Sequence, residues 1–136
     1  MRLAINILPF RRKVRHPFFP DVAAVPAAKA RGRSRALAGT FDELLAAAAR
    51  GATARRAVYV MTTEGELLGE AQREELWREL QVPIYVLLTR GGRIEAWECE
   101  AQCGLHVAGG GKAVECACGR PGAKLMPGQG VRHAAA

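Results

Sequence analysis

The strongest constraint on this chain is a cluster of metal-ligating side chains toward its C-terminal end. Five thiol and imidazole groups fall within twenty residues, spaced Cys99-x3-Cys103-x2-His106-x9-Cys116-x-Cys118, and no cysteine occurs elsewhere. Thiolate and imidazole are the donors that tetrahedral zinc takes, four at a time. In a reducing compartment such clustering points to a metal before a disulfide. The Gly109-Gly110-Gly111 turn can fold Cys116 and Cys118 back beside the segment carrying Cys99 and His106. One structural zinc held by four of the five residues is therefore expected. Three competing readings remain: Cys99 and Cys116 as small core residues, a disulfide such as Cys99–Cys103, and His106 as an ordinary strand-end histidine. Five candidate ligands favour a closed site over an open catalytic one. Glu98, Glu100 and Glu115 flank the cysteines and are expected to point away from them into solvent.

A length of 136 residues suits one domain. Hydrophobic residues make up 49% of the chain, but many are alanine and only 6% of residues are aromatic. The core is expected to be thin and to need a metal or a partner subunit. The net charge of +7 is uneven: residues 1–35 hold nine basic side chains against the single acid Asp21. Arg11, Arg12, Lys13, Arg15, Arg31, Arg33 and Arg35 are thus candidates to contact nucleic acid or another anion, with Phe18 and Phe19 available for stacking. The alternative is a solvated arm. No apolar run approaches the roughly 20 residues of a membrane span. The short apolar run at the N-terminus is cut by Pro9 and Arg11-Arg12-Lys13, unlike a signal peptide. A cytoplasmic protein is expected.

Along the chain, residues 1–38 mix prolines with basic clusters and read as an arm, with a short strand over 3–8. Residues 39–122 read as an α/β domain and 123–136 as a tail. Thr40-Phe41-Asp42-Glu43 is a capping box opening a helix that Gly51 stops. A β-branched and aromatic run over 57–62 predicts a buried strand. A second helix follows over 70–80, with Gly69 as cap, Gln72 at the third helical position and Ala71, Leu76, Trp77 and Leu80 on its apolar face. Residues 84–88 predict another buried strand, parallel to the first. Gly91-Gly92 turns the chain into an antiparallel strand over 93–99, and two short strands are expected over 105–108 and 113–117. The fold class is thus α/β: a small mixed sheet with a βαβ unit, two main helices and a zinc-binding, β-rich lobe over 93–122.

Several stretches resemble the phenylacetate–CoA ligase-like branch of adenylate-forming enzymes. These are Gly65-Glu66-Leu67-Leu68-Gly69-Glu70-Ala71-Gln72-Arg73, Val82-Pro83-Ile84-Tyr85, Glu98-Cys99-Glu100-Ala101-Gln102-Cys103-Gly104-Leu105-His106-Val107, and Cys116-Ala117-Cys118-Gly119-Arg120-Pro121. Together they cover about residues 55–122. Where the family has Tyr-Gly-x-Thr-Glu, this chain has Val86-Leu87-Leu88-Thr89-Arg90. The adenine-stacking tyrosine, the glycine and the magnesium-binding acid have no counterpart, and neither do the Ser/Thr/Gly-rich phosphate loop and the lid domain. The resemblance therefore implies a scaffold without an ATP site, since nothing would stabilise the charge of acyl-adenylate formation. It also implies that Cys99, His106, Cys116 and Cys118 are the ligands and Cys103 the spare.

The functional expectation is a non-enzymatic, zinc-stabilised accessory or interaction protein with a protein partner or a second copy of itself. The alternative is a nucleic-acid binder using the basic N-terminal arm.

Overall fold

The computed structural model describes residues 13–63, 68–100 and 105–107, and the backbone of 124–125. Its elements run β1 (Val14–His16), β2 (Phe19–Pro26), a 3-10 turn (Ala27–Lys29), β3 (Arg33–Gly39), α1 (Phe41–Ala49), β4 (Thr53–Thr63), α2 (Glu70–Leu80), β5 (Ile84–Arg90), β6 (Arg93–Trp97), β7 (Leu105–Val107) and β8 (Lys124–Leu125).

Both helices form where local chemistry dictates. The Thr40 hydroxyl accepts from the Glu43 amide at 3.2 Å, and the Glu43 carboxylate accepts from the Thr40 amide at 2.9 Å. This reciprocal cap satisfies two donors that a helix start would otherwise leave open. A Cβ at Gly39, just before it, would lie 2.9 Å from a Glu43 carboxylate oxygen and 3.0 Å from the Ala27 Cβ, so the carboxylate would have to shift out of its cap to admit one. At α2 the Gln72 side chain accepts from the Gly69 amide at 3.0 Å. Leu76 and Leu80 are buried as expected, but Trp77 is 51% exposed and Ala71 is exposed too. Trp77 lies one residue, about 100°, round the helix from Leu76 and so leaves the buried stripe.

Strands β2 to β8 form one mixed sheet in sequence order, with β1 folded back antiparallel on β2. β2, β3, β4 and β5 are mutually parallel. β5 through β8 are antiparallel, turned by Gly91 and Gly92, whose φ angles of +58° and +84° suit glycine. The expected parallel pairing of the two central strands is thus present, from Val58↔Ile84 to Thr63↔Thr89. Successive parallel crossovers of one hand place both helices and the 3-10 turn on the same face. There Leu37, Leu44, Val58, Val60, Leu76 and Ile84 form an aliphatic core. The other face carries Tyr59, Met61, Tyr85, Leu87 and Trp97, packed with Phe18, Phe19 and Val22 of the N-terminal hairpin.

The N-terminal segment departs from expectation. Residues 14–38, read from their prolines and charges as part of an arm, supply β1, β2 and most of β3. β3 lies between β2 and β4, with Ala36, Leu37 and Ala38 fully buried. Pro26 causes no break because it falls at the last residue of β2, where it pairs in register with Ala38. The strands expected over 3–8 and 113–117, and residue 108, lie outside the described residues.

Candidate functional site

The described part of the Cys/His lobe begins where β6 meets β7. Their register pairs Trp97 with His106, and Cys99 follows two residues later. Cys99 and His106 are both buried, at 0% and 1% exposure. The His106 ring meets Phe18 edge-on at 4.7 Å between centroids and stacks on Trp97 at 6.4 Å. The other three candidate ligands, Cys103, Cys116 and Cys118, lie outside the described residues. Among the described residues no three His, Cys, Asp or Glu side chains are grouped so as to hold a metal ion.

Glu98 organises this corner and corrects the expectation of a solvated acid. It is only 8% exposed. One carboxylate oxygen accepts from the Val86 amide at 2.8 Å, and the other forms a 2.8 Å ion pair with Arg73 of α2. Its own amide donates to the Val86 carbonyl at 3.0 Å. Residue 98 falls just beyond the regular end of β6, so strict alternation no longer governs which way its side chain points. Glu100 is exposed, as expected, and Glu115 lies outside the described residues.

The Glu98 carbonyl also reaches the N-terminal hairpin. His16 is fully buried, with its Nδ1 accepting from the Phe18 amide at 3.0 Å. That bond leaves the ring proton on Nε2, which donates to the Glu98 carbonyl at 2.5 Å. Phe19 stacks on the imidazole at 4.1 Å, and Tyr59 and Tyr85 flank it at 5.6 Å each. Tyr59 donates to the Val22 carbonyl at 2.9 Å, and burial, reinforced by Tyr85, raises its pKa from 10.0 to about 12. His16 and Glu98 were not among the sequence candidates. The only local hint was an imidazole beside two phenylalanines; the partner lies 82 residues away.

The remaining candidates are dispersed. Arg90, where the family resemblance calls for a magnesium-binding acid, ends β5 and pairs with Glu95 across the hairpin at 3.2 Å. Arg11 and Arg12 lie outside the described residues. Lys13, Arg15, Arg31, Arg33 and Arg35 are exposed, with Arg15 donating to the Pro20 carbonyl and Arg35 to the Asp21 carbonyl. The β3–β4 register pairs Arg33 with Thr53 and shifts between Ser34 and Ala36, so that Arg35 stands opposite the exposed Arg55 and Arg56 of β4. This basic patch, drawn from two strands, is not visible in either segment alone.

These features define a mixed α/β protein with a parallel centre and an antiparallel flank. No helix among the described residues is long and apolar enough to cross a membrane. A scan against models of protein families and a search of curated proteins both return no match.

Proposed function

We propose that this chain is a non-catalytic, zinc-stabilised α/β accessory protein that works through contacts with a protein partner or a second copy of itself. It resembles the scaffold of an adenylate-forming enzyme without the ATP site. The observation that carries this reading is the burial of Cys99 and His106 at the β6–β7 junction. Beside them Glu98 is committed to Val86 and Arg73, and so is not poised as a general base. A thiol and an imidazole entering one lobe are half of a tetrahedral donor set, and Cys116 and Cys118 complete it with Cys103 as the spare. Arg90, already paired with Glu95, can meet a phosphate but cannot bind magnesium.

Elemental analysis of reduced, purified protein should give one zinc per chain. His106→Ala or Cys116→Ser should release it, and Cys103→Ser should not. Protein free of metal, or a disulfide among these cysteines, overturns the reading. Absence of ATP–pyrophosphate exchange with aryl and fatty acids is the matching catalytic expectation.

A second reading, nucleic-acid binding, draws support from the patch of Arg33, Arg35, Arg55 and Arg56. Binding of that kind should weaken steeply with salt and lose slope when Arg55 and Arg56 are both changed to Gln.

A further inference from the structure

At the end of the sheet away from that basic patch, a crevice of about 370 Å³ opens where β3 and β4 finish and α1 and α2 begin. Thr40, Phe41, Asp42, Thr62, Leu68 and Gln72 line most of it. The carboxyl ends of parallel strands are where open α/β sheets form ligand crevices. The two helix N-termini alone would make no site. What marks this one is the Thr62 hydroxyl.

Thr62 is 7% exposed, and its Oγ1 is buried without a hydrogen-bond partner. Strand alternation places its side chain on the same face as Val58 and Val60, which pack into the helix-side core, so it projects into the crevice. Its backbone carbonyl is already used, accepting from the Thr89 hydroxyl at 3.2 Å. Only the side-chain hydroxyl is left over. A valine would fill the same volume without burying an unmet polar group.

The surrounding chemistry restricts the ligand. An added anion would meet Asp42 on the wall, and Asp42 and Glu43 already face the positive end of α1 as Glu70 faces that of α2. An added cation would meet two helix N-termini. An uncharged molecule with groups that both donate and accept suits both. The Thr40 hydroxyl, accepting from Glu43, keeps its own proton to give. The Gln72 side chain, with its oxygen taken by Gly69, has its amide hydrogens to offer. Asp42 accepts, while Phe41 and Leu68 supply an apolar wall for a C–H face.

We propose that this crevice binds a small uncharged polyol of monosaccharide size, with the Thr62 hydroxyl as its buried anchor. The site is independent of the metal proposed above, so zinc content does not bear on it.

The full chain is titrated by calorimetry with glucose and myo-inositol, and with glucosamine and gluconate as charged counterparts of similar size. A neutral polyol should saturate the protein, and both charged counterparts should bind about tenfold more weakly or worse. Thr62→Val should weaken neutral-polyol binding about tenfold while raising Tm, because an unmet buried hydroxyl is removed. Thr62→Ser should retain the binding. If Thr62→Val does not fold, Asp42→Asn on the exposed rim serves instead and should also weaken binding. No saturation by either neutral polyol overturns the proposal. So does equal or tighter binding of a charged counterpart, unchanged binding in both variants, or a fall in Tm for a folded Thr62→Val.

Discussion

The two faces of the sheet are built on different principles. The helix side is aliphatic, and its elements follow one another as strand, helix, strand, helix, strand. Leu37, Leu44, Val58, Val60, Leu76 and Ile84 need only be apolar and of suitable size. The opposite side is aromatic and polar at once: His16, Tyr59 and Trp97 are buried there against Phe18 and Phe19, and the cover comes from the far N-terminal hairpin. Its cohesion depends on directed bonds, Nε2 to the Glu98 carbonyl and Tyr59 to the Val22 carbonyl. A face closed by volume tolerates exchange of one apolar residue for another, whereas a face closed by directed bonds does not.

This contrast can be broken most forcefully on the helix side. Leu76→Ala removes a fully buried side chain and should cost about 2–5 kcal/mol in urea unfolding, while Leu76→Met should cost well under half of that. A comparable loss from Leu76→Met would show that the helix side is as exacting as the other. Next, Glu98→Ala breaks the Arg73 pair and strips the Val86 amide of its acceptor; about 3 kcal/mol is expected. Hydrogen exchange should then quicken in β6 and β7 more than in α1. Uniform loosening would mean that the two faces are not separable.

The third comparison uses pH. Tyr59 is held neutral in the fold, with its pKa raised from 10.0 to about 12, so the native state retains its proton where the unfolded chain has lost it. Stability from this residue is complete below pH 10 and declines as pH rises from there toward 12. Tyr59→Phe should flatten that alkaline decline in Tm while costing about 1 kcal/mol at neutral pH, through loss of the bond to Val22. Thr40→Ala should likewise cost about 1 kcal/mol through its cap, with no pH dependence of this kind and both faces otherwise intact.

The same division explains what could be read from the residues. Thr40 and Glu43 announce α1 because a capping box is complete within four consecutive residues. The run over 57–62 and the one over 84–88 announce β4 and β5 because β-branched and aromatic side chains favour strands. β3 was hidden for the opposite reason: Ala36-Leu37-Ala38-Gly39 has little strand preference of its own and is fixed by neighbours on both sides. Its alternation with Arg33 and Arg35, between Gly32 and Gly39, was the available signal. Glu98 reads as solvated because a residue next to a ligand on a strand should point away from it, whereas its partners Val86, Arg73 and His16 come from other elements. For the proposed zinc site, the spacing of Cys99 and His106 is legible, and so is a core position for Cys99; the depth of His106 is not, since it packs against Phe18 arriving from the other end of the chain.

The strictly sequential strand order has a kinetic corollary. When every strand pairs with the one just before it, no closure from β3 through β6 is longer than the helical crossover from Thr63 to Ile84, and the sheet can zip without waiting for more distant partners. The packing of the N-terminal hairpin on β6 and β7 is the exception, with His16 and Glu98 82 residues apart and Phe18 and His106 further still, and it carries the largest loop-closure entropy among these contacts of the described residues. It should therefore form after the main barrier. His16→Gln should leave the refolding limb of a chevron nearly unchanged and steepen the loss on the unfolding side, so that the hairpin governs how long the protein lasts more than how fast it forms.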